Sequence, residues 1–189
     1  MKRLGTVLLV VVSVVVAALI RAAEPASTNE QVVPTVIGQL TALNSSTNVR
    51  VASIAVTTTL TGPAFLDDVA ADEADCFLVA EVEAVFRNRR FGAIRATVVS
   101  GGKTFAPDAR TDVLTAEPGF TTYSTVPIVV PKDGLAGARL RIETNLVGVS
   151  GYHRIIEVDL GLTDERVAEL LASAATPVTV SSGRTEATP

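Results

Sequence analysis

The chain has 189 residues, a net charge of -4 at neutral pH, 48% hydrophobic residues, no Trp, one His and one Cys. The acidic balance gives no case for a polyanion-binding surface, the single cysteine rules out an internal disulfide, and one histidine with one cysteine cannot assemble a zinc site without several carboxylates. Beyond an apolar N-terminus and a polar stretch, about 140 residues remain, enough for one domain with its own core and too few for two.

Leu4 to Ile20 is a run of seventeen uncharged residues, entered by Lys2 and Arg3 and closed by Arg21. As a helix it covers roughly 25 Å against a hydrocarbon core of about 30 Å, and Arg21 can extend its guanidinium to the headgroups. Residues 1–23 therefore read as a signal-anchor transmembrane helix. The N-terminal positive charge places that end in the cytoplasm and residues 24–189 outside, in the cell envelope. The alternative is secretion after signal-peptide cleavage. The length of the run, and Ile20-Arg21 before the small-residue site at Ala22, favour the anchor. An exported chain has no expected access to nucleotide cofactors.

Residues 24–48 read as a polar stalk, with a short strand or turn near Val32 to Leu43. From Val49 the period becomes two, with Ala52, Ile54, Val56, Thr58 and Leu60 on one face. Asp67, Asp68, Asp72, Glu73 and Asp75 then crowd nine residues. These carboxylates could hold calcium, but no glycine or alternating Asp/Asn spacing turns them inward, so a solvated acidic loop is the reading and cation binding the alternative.

Cys76 opens the next strand as a small buried hydrophobe, with an intermolecular disulfide or a reactive thiol as the alternative. In Phe77 to Phe86, Leu78, Ala80, Val82, Ala84 and Phe86 oppose Glu81 and Glu83. That i, i+2 pair of carboxylates has no cleft or second constellation beside it, so it reads as the polar face of a sheet. Arg87-Asn88-Arg89-Arg90, with Phe91 beside it, is a basic hairpin tip that could also attract an acidic partner or anionic envelope material.

Ile94, Ala96 and Val98 alternate with Arg95 and Thr97, and Ser100-Gly101-Gly102 reads as a hairpin turn into Lys103 to Ala106. Gly102-Lys103-Thr104 resembles the tail of a phosphate loop, but Thr97 stands where the first glycine should be, and the loop joins two strands rather than opening a helix. After Pro118-Gly119 comes Thr121 to Val130, where Pro127 signals an edge or a bulge. Ala138, Leu140 and Ile142 alternate with Arg139, Arg141 and Glu143. Gly148-Val149-Ser150-Gly151 fails as a nucleophile elbow because Tyr152 replaces the second glycine, and His153 has no supporting partner as a base. Ile156, Val158, Leu160 and Leu162 point inward in a last strand. Thr163 then caps a helix over 163–174 with Asp164 and Glu165 in its first turn, a Leu162–Val167 staple and an apolar stripe of Val167, Leu170, Leu171 and Ala174. Residues 175–189 read as disordered.

Seven or eight short strands without crossover helices give an all-β fold: an immunoglobulin-like antiparallel β-sandwich over 49–162, closed by the C-terminal helix. The order from Cys76 to Glu143, including the Pro118-Gly119 turn and the strand ending in Val130-Pro131, resembles the immunoglobulin-like extracellular domains of unknown function found in Gram-positive, actinobacterial membrane proteins and lipoproteins. These are similar in fold to a secreted mycobacterial immunoprotective antigen. The resemblance implies a sandwich outside the membrane and brings no catalytic residues with it. The lipoprotein members need a cysteine after the signal segment, which this chain lacks.

No nucleophile, base and oxyanion set is present, and no residue is assigned to a cofactor or metal. The expectation is a non-enzymatic, membrane-anchored module that binds a protein or envelope component, through Arg87 to Phe91 or the Asp67 to Asp75 loop. The alternative is an accessory or assembly subunit of a membrane complex, acting through its transmembrane helix.

Overall fold

The computed structural model describes residues 30–63, 65, 67–87, 91–107, 114–116, 118–144, 153–181 and 183–188, with backbone alone at 91–93, 114–116, 144 and 153. The expected anchor at 1–23 and the Ser150 motif lie outside these residues. Among the described residues no helix is long and apolar enough to cross a membrane.

The strands, in chain order, are β1 (Glu30–Val36), β2 (Thr41–Ala42), β3 (Thr47–Thr57), β4 (Thr59–Thr61), β5 (Val69–Ala70), β6 (Asp75–Phe86), β7 (Phe91–Ser100), β8 (Lys103–Phe105), β9 (Leu114–Ala116), β10 (Phe120–Pro131), β11 (Arg139–Thr144) and β12 (His153–Asp159). Helix α1 (Asp164–Ser173) and strands β13 (Val178–Thr179) and β14 (Arg184–Ala187) complete the chain. One sheet has the order β1-β12-β11-β7-β8, with β9 also on β7; a second runs β14-β10-β6-β3-β2; a third, small one is β13-β4-β5.

The two large sheets share one core. Val49, Leu78, Val82, Phe86, Ile128 and Val130 of the five-stranded sheet pack in one cluster with Ile94, Val98, Leu140, Ile142, Ile156 and Val158 of the other. The alternation on β6, β7, β11 and β12 produces this β-sandwich, because each apolar face needs a second one to leave water, at about 1.5–3 kcal/mol for each large side chain buried.

Several expectations change. The seven or eight strands expected over 49–162 become ten among the described residues, β3 to β12, since pieces of two or three residues such as β4, β5 and β9 are too short to show alternation. The expected stalk carries β1, β2 and the start of β3, and β1 joins the sheet beside β12. On β3 the phase differs from the simple period: Val49 and Val51 are buried, and a bulge between Val51 and Ser53 leaves Ala52 exposed. The tail at 175–189, expected to be disordered, contains β13, parallel to β4, and β14, antiparallel to β10. Both are too short and too polar to announce themselves; the strands they join supply their hydrogen-bond partners.

Other local readings hold. Gly101 and Gly102, at φ +54° and +76°, form the two-residue turn between β7 and β8, with Ser100 paired to Lys103. Pro127 falls where β10 has run past its partner β14, which pairs only with Phe120 to Tyr123. The Thr163 hydroxyl accepts from the Arg166 N–H at 3.3 Å, and Leu162, Val167 and Ala174 are buried in the main core.

Candidate functional site

The antiparallel register of β3, β6 and β10 lays side chains in rows across the outer face of the five-stranded sheet. Arg50, Glu83 and Tyr123 form one row, extended by Arg184 of β14; Ser53, Glu81 and Thr125 form the next. The rows are cross-linked. Arg50 Nε donates to Glu83 Oε2 at 3.0 Å, and its Nη2 reaches the same oxygen. Ser53 Oγ donates to Glu81 Oε2 at 2.7 Å, a contact that exists because the bulge turns Ser53 outward beside Glu81.

Arg184 lies over the Tyr123 ring, 4.8 Å from its centroid, and its Nε is 3.3 Å from Glu186 Oε1. Thr125 and Ser181 hydroxyls meet at 3.2 Å. Together these residues shape a groove of about 460 Å³ whose polar lining includes Glu81, Glu83, Tyr123, Thr125, Ser181 and Arg184. All of these groups except Ser181 are held on strands rather than loops, so their hydrogen-bonding directions are set before a ligand arrives. Glu83 is mostly buried, which a carboxylate tolerates because Arg50 neutralises it.

The other half of the same face is apolar. The next rows are Ala55, Val79 and Pro127, then Thr57, Phe77 and Val129. The small third sheet covers part of them, and Leu60, Phe77, Val79 and Val180 form a second buried cluster. A gap of about 230 Å³ remains, walled by Leu60, Phe65, Phe77, Pro127 and Val129, with Asp72 and Asp75 on its lip.

The acidic loop meets this pocket because β5 divides it. Asp67 and Asp68 precede β5, Asp72 and Glu73 follow it, and Asp75 opens β6. Among the described residues, which include all five of these acids, no three His, Cys, Asp or Glu side chains converge as a metal site requires. Strand β5 falls between Asp67–Asp68 and the later three acids. Lys132 Nζ donates to the Glu73 carbonyl at 2.5 Å.

At the opposite end of β6, Arg87 is exposed and its backbone N–H donates to the Ser46 carbonyl at 2.8 Å. Asn88, Arg89 and Arg90 lie outside the described residues, and Phe91 begins β7. The two segments expected to make contacts therefore flank β6 at its two ends. The groove instead gathers Glu81 and Glu83, set aside in the sequence as a plain polar face. It also gathers Tyr123 and Arg184, which carry no sequence signal: Tyr123 sits in an ordinary strand and Arg184 in a tail read as disordered.

Cys76 is fully buried, its thiol faces the Val130 carbonyl at 3.4 Å, and burial pushes its pKa up to about 11. That environment belongs to a structural thiol. His153 opens β12, and the serine once considered with it lies outside the described residues.

No family model matches the chain, and no curated protein matches it in sequence. Among solved structures, the chain is similar to an uncharacterized β-sandwich protein from Clostridium difficile 630, at 11% identity and a TM-score of 0.43, over 71% of this chain and 99% of that one.

Proposed function

We propose that this chain is a non-enzymatic binding module: an immunoglobulin-like sandwich of the Gram-positive envelope, held outside the membrane by residues 1–23, that takes a protein or envelope component on the outer face of its five-stranded sheet. The polar groove over Glu81, Glu83 and Tyr123 carries the reading. The outer face of the other sheet bears a different pattern, with Glu157 clamped by Arg139 at 2.6 Å and Arg141 at 2.9 Å. A rigid, pre-bonded groove on one face is suited to recognition.

The test is a capture experiment from native membranes with three baits: the full chain, a form lacking residues 1–23, and full-length Tyr123→Ala/Glu81→Lys. A partner retained by the first two and lost by the third supports the groove. A partner held only by the two baits that keep residues 1–23 would instead make the chain an accessory subunit acting through its transmembrane helix. Release into the medium without residues 1–23 would replace the anchor by secretion.

A further inference from the structure

We propose, resting on the polar groove as this module's binding surface, that its ligand is a neutral saccharide of the envelope, held through its ring hydroxyls. The groove offers hydrogen-bonding atoms that the protein itself leaves unused. Glu83 lines it although only 8% of the residue is exposed; Arg50 bonds Oε2 alone, and among the described residues nothing bonds Oε1. A carboxylate oxygen so placed, in a residue otherwise withdrawn from water, is costly until a donor arrives. Ser53 donates to one oxygen of Glu81 and likewise leaves Oε1 without a partner among the described residues. Tyr123 carries Arg184 over its ring, and its phenol hydroxyl has no partner among the described residues either.

Those atoms define what can bind. Glu81 and Glu83 stand at i and i+2 on one face of β6, with backbones roughly 7 Å apart, and carboxylates only accept, so the ligand must donate from two separated positions. It must also accept, from the Arg184 guanidinium and the Tyr123 hydroxyl. An anion fails the first condition. An ammonium or guanidinium group fails the second, and it would meet Arg50 at Glu83 and Arg184 on the groove wall. A sugar hydroxyl both donates and accepts, and a sugar ring carries several of them at fixed spacing. The charges in the groove agree with a neutral ligand, since Glu83 is matched by Arg50 and Arg184 by Glu186.

A peptide fits less well. Strand β6 is paired on both sides, with β3 and with β10, so this part of the sheet has no free backbone edge for an added strand. The apolar lining among the described residues is Ala52 and Val82, the latter 2% exposed, too little to seat an anchor side chain. A volume of about 460 Å³ lies within the roughly 300–1,000 Å³ of small-molecule sites and suits a short stretch of glycan.

The experiment passes the full chain, purified in a detergent without a sugar headgroup, over immobilised neutral di- to tetrasaccharides of glucose, mannose, galactose and N-acetylglucosamine. At least one series should retain it, and retention should hold when salt is raised severalfold, because no charge pair forms. Affinity should fall about tenfold or more with Glu81→Ala and about threefold or more with Tyr123→Phe. Glu81 is exposed, and Tyr123→Phe keeps the ring under Arg184, so both variants should keep the wild-type urea midpoint. A panel that retains nothing, retention unchanged by both substitutions, or retention that fades with salt would each overturn the saccharide. The groove itself is judged separately by capture from native membranes that have been treated with periodate, which cleaves vicinal diols, or with protease. A partner lost by Tyr123→Ala/Glu81→Lys that resists periodate and yields to protease would overturn the saccharide and leave the groove as a protein-binding surface. A partner kept by that variant would overturn both.

Discussion

Gly62 shows how one atom can hold a segment in place. It sits at φ +123°, and a Cβ there would lie 2.4 Å from the Val180 carbonyl oxygen, so any side chain is barred by both backbone conformation and the tail passing over it. Gly62→Ala should release β13 and raise hydrogen exchange at the Val180 amide, which otherwise donates to the Thr61 carbonyl at 2.7 Å. Glu157 makes a pH-dependent contribution. Hydrogen bonding to Arg139 first, and then to Arg141, lowers its carboxyl pKa, offset in part by burial. A lowered folded-state pKa gives stability that is complete above the ordinary glutamate range and is lost as pH falls through the folded value. Urea midpoints of wild type and Glu157→Gln should therefore differ near pH 6, with the difference shrinking as the pH is lowered into acid. The high pKa of Cys76 follows from its burial in the main core, and a thiol reagent at pH 8 should label it only after unfolding. The sequence already indicated a buried thiol at Cys76, because a lone cysteine opening an apolar strand reads that way; Gly62 carried no such mark, since its constraint comes from a residue 118 positions away.

At the scale of elements, legibility followed length and local chemistry. The helix was readable because its cap, acidic first turn, staple and stripe all fall within thirteen residues, and α1 uses each of them. The tail was misread because its stabilising partners are distant. The Thr57 hydroxyl donates to the Thr176 carbonyl at 2.9 Å, the Thr121 and Thr188 hydroxyls meet at 3.0 Å, and Val180 is 1% exposed beneath the third sheet. A chain ending at Thr176 should lose about 2–3 kcal/mol from the burial of Val180 alone, read as a lower urea midpoint, and should leave the Phe120 to Tyr123 edge of β10 unpaired. The bulge at Ala52 was equally hidden. Alternation predicts two faces, but only pairing with β6 shows where one residue is skipped, and that skip is what sets Ser53 against Glu81.

For the molecule as a whole, the two large sheets bury one continuous core, so a cavity there should be felt across the sandwich. Ile142→Ala, at a fully buried position facing the other sheet, should cost about 2–5 kcal/mol and lower the unfolding transition of both sheets together, visible by hydrogen exchange at β6 and β11 alike. The outer faces are unequal: one carries the clamp around Glu157, the other a polar groove and an apolar pocket side by side. By itself the sequence determined the all-β class, the inward residues of the long strands, the capped helix and the inward-facing cysteine, because each depends on neighbours within a few residues and on the periods of strand and helix. Only the tertiary structure decided the strand order, the folding of the tail onto the sandwich and the meeting of Glu81, Glu83, Tyr123 and Arg184. Those depend on register between segments more than a hundred residues apart, and a period of two specifies which face a residue takes without specifying which strand lies beside it.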